Sequence, residues 1–152
     1  MKNIIVTPAH LDWLAERLGI KDRSMVEPDF GGLLAQLPSG FFEYPANENV
    51  VCEGEPGDDL YVIYTGSLSV IRSIGLPAPM EVAKLGPGDI FGEIAYFARA
   101  PRSATVKTME TARVFRFRAA EFAAIMKKNP ALADIVRKMA QDRLAKTLLT
   151  QL

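Results

Sequence analysis

What the chain lacks bounds it before any motif is read. Cys52 is the only cysteine in 152 residues, so no internal disulfide can form, and such usage suits a reducing compartment; a buried, unreactive thiol is the expected role. Histidine is equally scarce. His10 stands alone, and a single imidazole builds neither a multi-histidine metal site nor a histidine pair for proton transfer. Net charge is also missing, with 18 Lys plus Arg balanced by 18 Asp plus Glu, which removes any chain-wide electrostatic reason to bind nucleic acid or an anionic membrane. No stretch approaches the ~18 consecutive apolar residues of a membrane span, and residues 1–8, Met-Lys-Asn-Ile-Ile-Val-Thr-Pro, are too poor in apolar residues for a secretory signal. The expectation is one soluble, cytoplasmic domain of ordinary size, whose partner is a small molecule or another protein.

The chain then divides by its periodicities. Thr7 before Pro8 reads as a helix cap with proline in the first turn, and Leu11, Leu14, Ala15 and Leu18 recur at helical spacing up to Gly19. His10 and Trp13 on this helix are expected to pack or to face solvent. Residues 20–28 read as a polar connector and 29–37 as a second short helix, closed by Pro38-Ser39-Gly40. From Phe41 to Arg118 short strands alternate with turn signals, the pattern of an all-β sandwich or barrel. Strands are predicted over 49–53, 60–64, 67–74, 80–85, 103–108 and 113–118. After Arg118 the period returns to helical, with one segment over 119–129 and another opening at Pro130 and running toward the end. Its apolar stripe, Leu132, Ile135, Val136, Met139, Leu144, Leu148 and Leu149, is interrupted at Asp142-Arg143 and Lys146-Thr147.

One stretch combines unusual ingredients: Phe91-Gly92-Glu93-Ile94-Ala95, five residues, then Pro101-Arg102-Ser103-Ala104-Thr105. Gly92 has no Cβ, so backbone can approach a ligand closely, and a short helical turn starting after it has amides without intrahelical partners, which suit an anion. Arg102 offers a planar fork matched to two phosphate oxygens, while Glu93 accepts hydrogen bonds and suits a sugar hydroxyl. The acids Glu53, Glu55, Asp58 and Asp59 lie closely enough to suggest calcium, but Pro56-Gly57-Asp58 is a turn signal and an acidic surface turn accounts for them. A metal enzyme on a β-barrel needs several histidines, which are lacking.

This stretch resembles the phosphate-binding cassette of the cyclic nucleotide-binding domain family, F-G-E-[IL]-A, five variable residues and P-R-x-A-[ST], at every fixed position. A second segment, Gly54-Glu55-Pro56-Gly57-Asp58-Asp59-Leu60-Tyr61-Val62-Ile63-Tyr64-Thr65-Gly66, is similar to the family's G-[ED]-x-G-D-x-x-Y-x-[IV]-x-x-G. The resemblance covers about residues 41–118. It implies an α+β fold, an antiparallel β-roll (jelly-roll-like) flanked by N-terminal helices and two C-terminal helices: 1–40 an N-terminal helical segment, 41–118 the roll with its cassette at 91–105, 119–152 the C-terminal helices. It further implies that Glu93 accepts from a ribose 2′-hydroxyl, that Arg102 pairs with a cyclic phosphate, that Gly92 and the amides around Ile94 and Ala95 complete the cradle, that Ser103 and Ala104 follow in contact, and that Val82 packs on the purine.

The expected function is a non-enzymatic receptor for a 3′,5′-cyclic nucleotide, with cyclic AMP (cAMP) favoured over cyclic GMP (cGMP), no cofactor and no metal. In the family the last helix can cover the base or pair with its twin, so the expected partners are another protein or a second copy, not DNA and not a membrane. No DNA-reading module follows the helix within the 152 residues; a free-standing sensor and a domain of a longer chain both fit. The competing reading is a protein-interaction module that keeps the fold and has lost its ligand, against which the joint presence of Glu93 and Arg102 argues. Either residue is expected to be replaceable with little effect on fold stability.

Overall fold

The computed structural model describes residues 1–19 and 40–150, with the side chains of the last helix described through Lys146. The connector and helix expected over 20–37 lie outside the described residues. In order, the elements are β1 (Lys2–Asn3), α1 (Pro8–Arg17), β2 (Gly40–Tyr44), β3 (Asn49–Val51), β4 (Leu60–Thr65), β5 (Leu68–Arg72), β6 (Met80–Leu85), β7 (Ile90–Phe91), α2 (Glu93–Ala98), β8 (Thr105–Thr108), β9 (Ala112–Phe117), α3 (Ala119–Lys128) and α4 (Pro130–Thr150).

Two antiparallel sheets face each other, one in the order β1-β2-β9-β4-β7 and the other β3-β8-β5-β6. Successive side chains on a strand point to opposite faces, and the five-stranded sheet buries both. Phe41, Leu60, Val62, Phe115 and Phe117 pack toward the helices with Leu14, Phe122, Ile125 and Val136. Their neighbours Phe42, Tyr44, Tyr61, Ile63 and Val114 meet Val51, Leu68, Leu85 and Val106 from the other sheet. The architecture is the expected antiparallel β-roll, with α1 ahead of β2 and α3 and α4 after β9 among the described residues.

Strand boundaries differ from expectation for reasons visible in the hydrogen bonds. No strand was expected over Gly40–Tyr44, yet β2 pairs with β9 along its whole length, Gly40 opposite Arg116 and Tyr44 opposite Ala112. β3 stops at Val51 because the next residues turn, the Glu55 amide donating to Cys52 O, and the Gly54 amide donates to Arg102 O. β5 stops at Arg72, since the amides of Ser73 and Ile74 donate to the Glu53 carboxylate at 2.6 and 3.2 Å. β8 begins at Thr105, two residues late, because Ser103 O is taken by Arg72 Nε at 3.2 Å.

α1 starts as expected, with Thr7 as cap and Pro8 in the first turn. The reciprocal partner is unusual: His10 N donates to Thr7 Oγ1 at 3.3 Å, and Thr7 N donates to His10 Nδ1 at 3.0 Å, so an imidazole fills the role a Glu or Gln side chain plays in a capping box. The His10 ring meets Phe41 and Tyr64 edge-on at 4.8 and 5.0 Å between centroids. At the other end of α1, Asn129, between α3 and α4, donates its side-chain amide to Leu18 O at 3.1 Å and to Gly19 O at 3.3 Å, satisfying carbonyls that a helix end leaves unpaired. Arg17 Nε donates to Gly88 O at 2.5 Å, which ties α1 to the turn before β7.

Candidate ligand-binding site

β7 runs antiparallel to β4, Phe91 opposite Tyr61, and delivers the chain to Gly92. That residue adopts φ +91°, where a Cβ would sit 2.5 Å from Asp59 O and 2.9 Å from Arg102 Nη1. Only glycine fits both the dihedral and the space. The left-handed turn aims the next residues into α2, whose first residue is Glu93.

Arg102 lies in the segment between α2 and β8, clamped from three sides. Its backbone exchanges bonds with the acidic loop, Arg102 N to Glu55 O at 2.9 Å and Gly54 N to Arg102 O at 2.8 Å. Its guanidinium donates to Asp59 O at 3.0 Å and to Gly92 O at 3.3 Å, and stands 5.9 Å over the Tyr61 ring. Tyr61 stacks in turn on Phe91 with 4.8 Å between centroids; burial raises its hydroxyl pKa, with Arg102 opposing, so the ring stays neutral. The loop 53–59 therefore aims the arginine. Among its acids, Glu53 also stands 3.8 Å from Arg72, and among the described residues no group of three or more His, Cys, Asp or Glu is placed to hold a metal ion.

Glu93 is 1% exposed and Arg102 7%. Arg143, reaching in from α4, donates from Nη1 to Glu93 Oε1 at 2.7 Å and to Ile90 O at 2.6 Å. The other carboxylate oxygen, Oε2, is buried without a hydrogen-bond partner. An unsatisfied buried acceptor of this kind costs about 1–3 kcal/mol, which a donor arriving with a ligand would recover.

These side chains open on one cavity of about 760 Å³. All eight residues singled out in the sequence, Val82, Gly92, Glu93, Ile94, Ala95, Arg102, Ser103 and Ala104, line it. Val82 on β6 is 37% exposed, an apolar side chain turned to open space. The sequence reading missed Arg72, Arg143 and Lys146, which also line the cavity. Arg143 and Lys146 did leave a signal: they are the charges that interrupt the apolar stripe of α4. Ile135 and Leu144 on that helix remain exposed, and the side chains of Leu148 and Leu149 lie outside the described residues. No helix among the described residues is long and apolar enough to cross a membrane.

Comparison with known proteins agrees with this geometry. Residues 41–129 match the cyclic nucleotide-binding domain family. A cyclic nucleotide-gated potassium channel of Mesorhizobium japonicum is 40% identical over 95 residues, covering 62% of this chain and 25% of the channel. A CRP-like cAMP-activated global transcriptional regulator of Mycobacterium tuberculosis is 28% identical over 138 residues, 90% of this chain and 60% of the regulator. Among solved structures, a cyclic nucleotide-binding domain from Methylobacillus flagellatus shares the fold with a TM-score of 0.67 at 23% identity, over 92% of this chain and 81% of that one. The chain thus spans only part of the channel and of the regulator. With the match reaching over more than half of its residues, and both cassette charges brought to one cavity, the chain belongs to the cyclic nucleotide-binding domain family.

Proposed function

We propose that this chain is a non-enzymatic receptor for a 3′,5′-cyclic nucleotide, that cAMP is preferred to cGMP, and that the signal passes to a partner protein or to a second copy through α4. One observation carries the reading: two buried side chains of opposite charge, Glu93 and Arg102, line the same cavity, and one Glu93 oxygen there has no partner. A carboxylate accepts only, so it takes a hydroxyl; a guanidinium donates only, so it takes phosphate oxygens. Arg102 spends one N–H on each of two carbonyls and keeps the rest of its five donors for an anion. The first amides of α2, around Ile94 and Ala95, add donors beside it. Val82 supplies the apolar surface for a base, and Ser103 and Ala104 complete the wall.

An apolar contact at Val82 accepts either purine, and the Ser103 hydroxyl suits a guanine amino group as well as solvent. What favours adenine is the likeness to the cAMP-activated regulator. Titration calorimetry of the purified protein with each nucleotide, after an absorbance scan for nucleotide carried through purification, tests both claims. Saturable binding with the lower Kd for cAMP is expected. Absence of binding with either nucleotide overturns the receptor reading; a lower Kd for cGMP overturns the preference.

A further inference from the structure

We propose that Arg72 is a positioning residue for phosphate recognition: by holding the carbonyl of Ser103 it fixes the direction in which Arg102 presents its guanidinium. The inference rests on the receptor reading given above and extends it to a residue outside the cassette. Arg72 closes β5, and its Nε donates to Ser103 O at 3.2 Å. It is buried and lines the same cavity as Arg102 and Ser103. The neighbouring bonds pin the same stretch of chain: Arg102 N donates to Glu55 O at 2.9 Å, Gly54 N donates to Arg102 O at 2.8 Å, and Glu53 N donates to Thr105 Oγ1 at 2.9 Å. Every donor in this set is a backbone amide except Arg72, so here a side chain decides how the chain beside Arg102 is held.

A buried guanidinium is tolerated where its charge is met. Glu53 meets it, with its carboxylate 3.8 Å from Arg72 Nε and the two side chains 8% and 5% exposed. That carboxylate is fixed in turn by the amides of Ser73 and Ile74 at 2.6 and 3.2 Å. The Glu53–Arg72 pair is neutral as a unit, so it clamps the cavity wall without adding net charge and leaves the phosphate to Arg102. What the clamp controls is angle. Arg102 already donates to Asp59 O and Gly92 O, and a guanidinium is a rigid plane, so a turn of the backbone at 102–103 redirects the donors that remain. Arg102 is a charged donor and the first amides of α2 are neutral ones. With the aim fixed, the two exocyclic oxygens of a cyclic phosphate therefore meet unlike partners.

The test is calorimetry on the full chain with cAMP and with its two phosphorothioate diastereomers, in which sulfur, a poorer acceptor, replaces one or the other exocyclic oxygen. Wild type, Arg72→Gln and Arg72→Met are compared. Glutamine carries an N–H donor where Nε stands and methionine a methyl; neither is charged, so loss of the Glu53 pair is common to both and cancels. Wild type is expected to prefer one diastereomer by at least about fivefold, because a bond to a charged donor is about twice as strong as one to a neutral donor. Arg72→Gln should keep this ratio within about twofold, and Arg72→Met should reduce it to about twofold or less. A purely structural role predicts instead that both diastereomers weaken together in Arg72→Met with their ratio unchanged, and that result overturns the inference while the receptor reading stands. A ratio lost in Arg72→Gln as well, or a wild type that binds cAMP but treats the diastereomers alike, overturns it too. Should Arg72→Met not fold by thermal melt, the ratio in Arg72→Gln against wild type decides. If wild type binds no cAMP, the receptor reading falls and this inference with it.

Discussion

The Asp59 carbonyl oxygen occupies the place where Gly92 would carry a side chain: a Cβ there would lie 2.5 Å from it. The acidic loop and the cassette are therefore fitted to each other around an absent atom. Gly92→Ala asks for a side chain at φ +91° and for backbone to retreat from Asp59 or Arg102. Strain of this kind costs about 1–3 kcal/mol. We expect Tm to drop by several degrees and cAMP affinity to drop by about tenfold or more, both read on the same preparation. An alanine variant with wild-type melting and binding would show that the close approach has no consequence.

On the proposed function, Arg102→Ala would remove a charge-assisted contact to a buried anion, typically about 1.5–3 kcal/mol, and should weaken cyclic nucleotide binding at least about tenfold. Stability should suffer too, which corrects the expectation drawn from sequence. The guanidinium donates to Asp59 O and Gly92 O, and both lose that donor. Calorimetric affinity unchanged by the substitution would remove the central claim.

Glu93→Ala is expected to weaken binding and to reduce discrimination against 2′-deoxy analogues. It also strands Arg143, whose guanidinium keeps only the Ile90 carbonyl. Thermal melts should show a loss without ligand, again contrary to the near-neutral effect expected for a residue serving ligand alone. Equal preference for cAMP over its 2′-deoxy analogue in wild type and variant would assign hydroxyl recognition elsewhere.

Cyclic nucleotide should slow amide exchange in α4 more than in the two sheets. The helix meets the cavity through Arg143 and Lys146 while Ile135 and Leu144 stay exposed, so part of its surface is unburied and its opening should cost less than that of the roll. A ligand shifts such an opening only if it binds the two arrangements unequally. Equal protection of 130–146 with and without cAMP, with changes confined to 91–105, would show binding without transmission.

Acid should loosen α1. His10 Nδ1 accepts from Thr7 N, which an imidazolium cannot do, and burial first, then Arg113, hold its pKa below 6.5. The unfolded chain therefore binds this proton more readily. The stabilising effect is complete above pH 6.5 and declines as pH falls through and below that value. His10→Gln keeps an acceptor and does not titrate, so its Tm should change less than that of wild type between about pH 7.5 and pH 5.5. Parallel curves for the two proteins would rule the histidine out as the source.

The cassette was legible because its requirements are local: a glycine where backbone must approach, a short helix directly after it, and an arginine at fixed spacing. The alternation of Leu60, Val62 and Tyr64 was equally plain, and so was the cap at Thr7 and Pro8. β2 was not, since Gly-Phe-Phe-Glu-Tyr shows no clean period when both faces are buried, as Phe41 and Phe42 are. Strand ends were misjudged wherever a side chain competes for a backbone group, as Glu53 does at Ser73 and Arg72 at Ser103. Arg143 was visible only as a flaw in a stripe. Its meaning depends on Glu93, 50 residues earlier, and no periodicity on one helix reports a partner on another.

The amide of Asn129, shared between the last carbonyls of α1, acts as a rivet at the joint from which α4 departs. A lever pinned beside its fulcrum cannot swing without loading the pin. If α4 pivots about residues 129–130, the end of α1 must travel with it or give up both bonds, and Arg17, directly before Leu18, would then pull on the Gly88 turn that leads back into the cavity. A ligand that tilts α4 would therefore be felt at residue 19 as well as at the far end of α4.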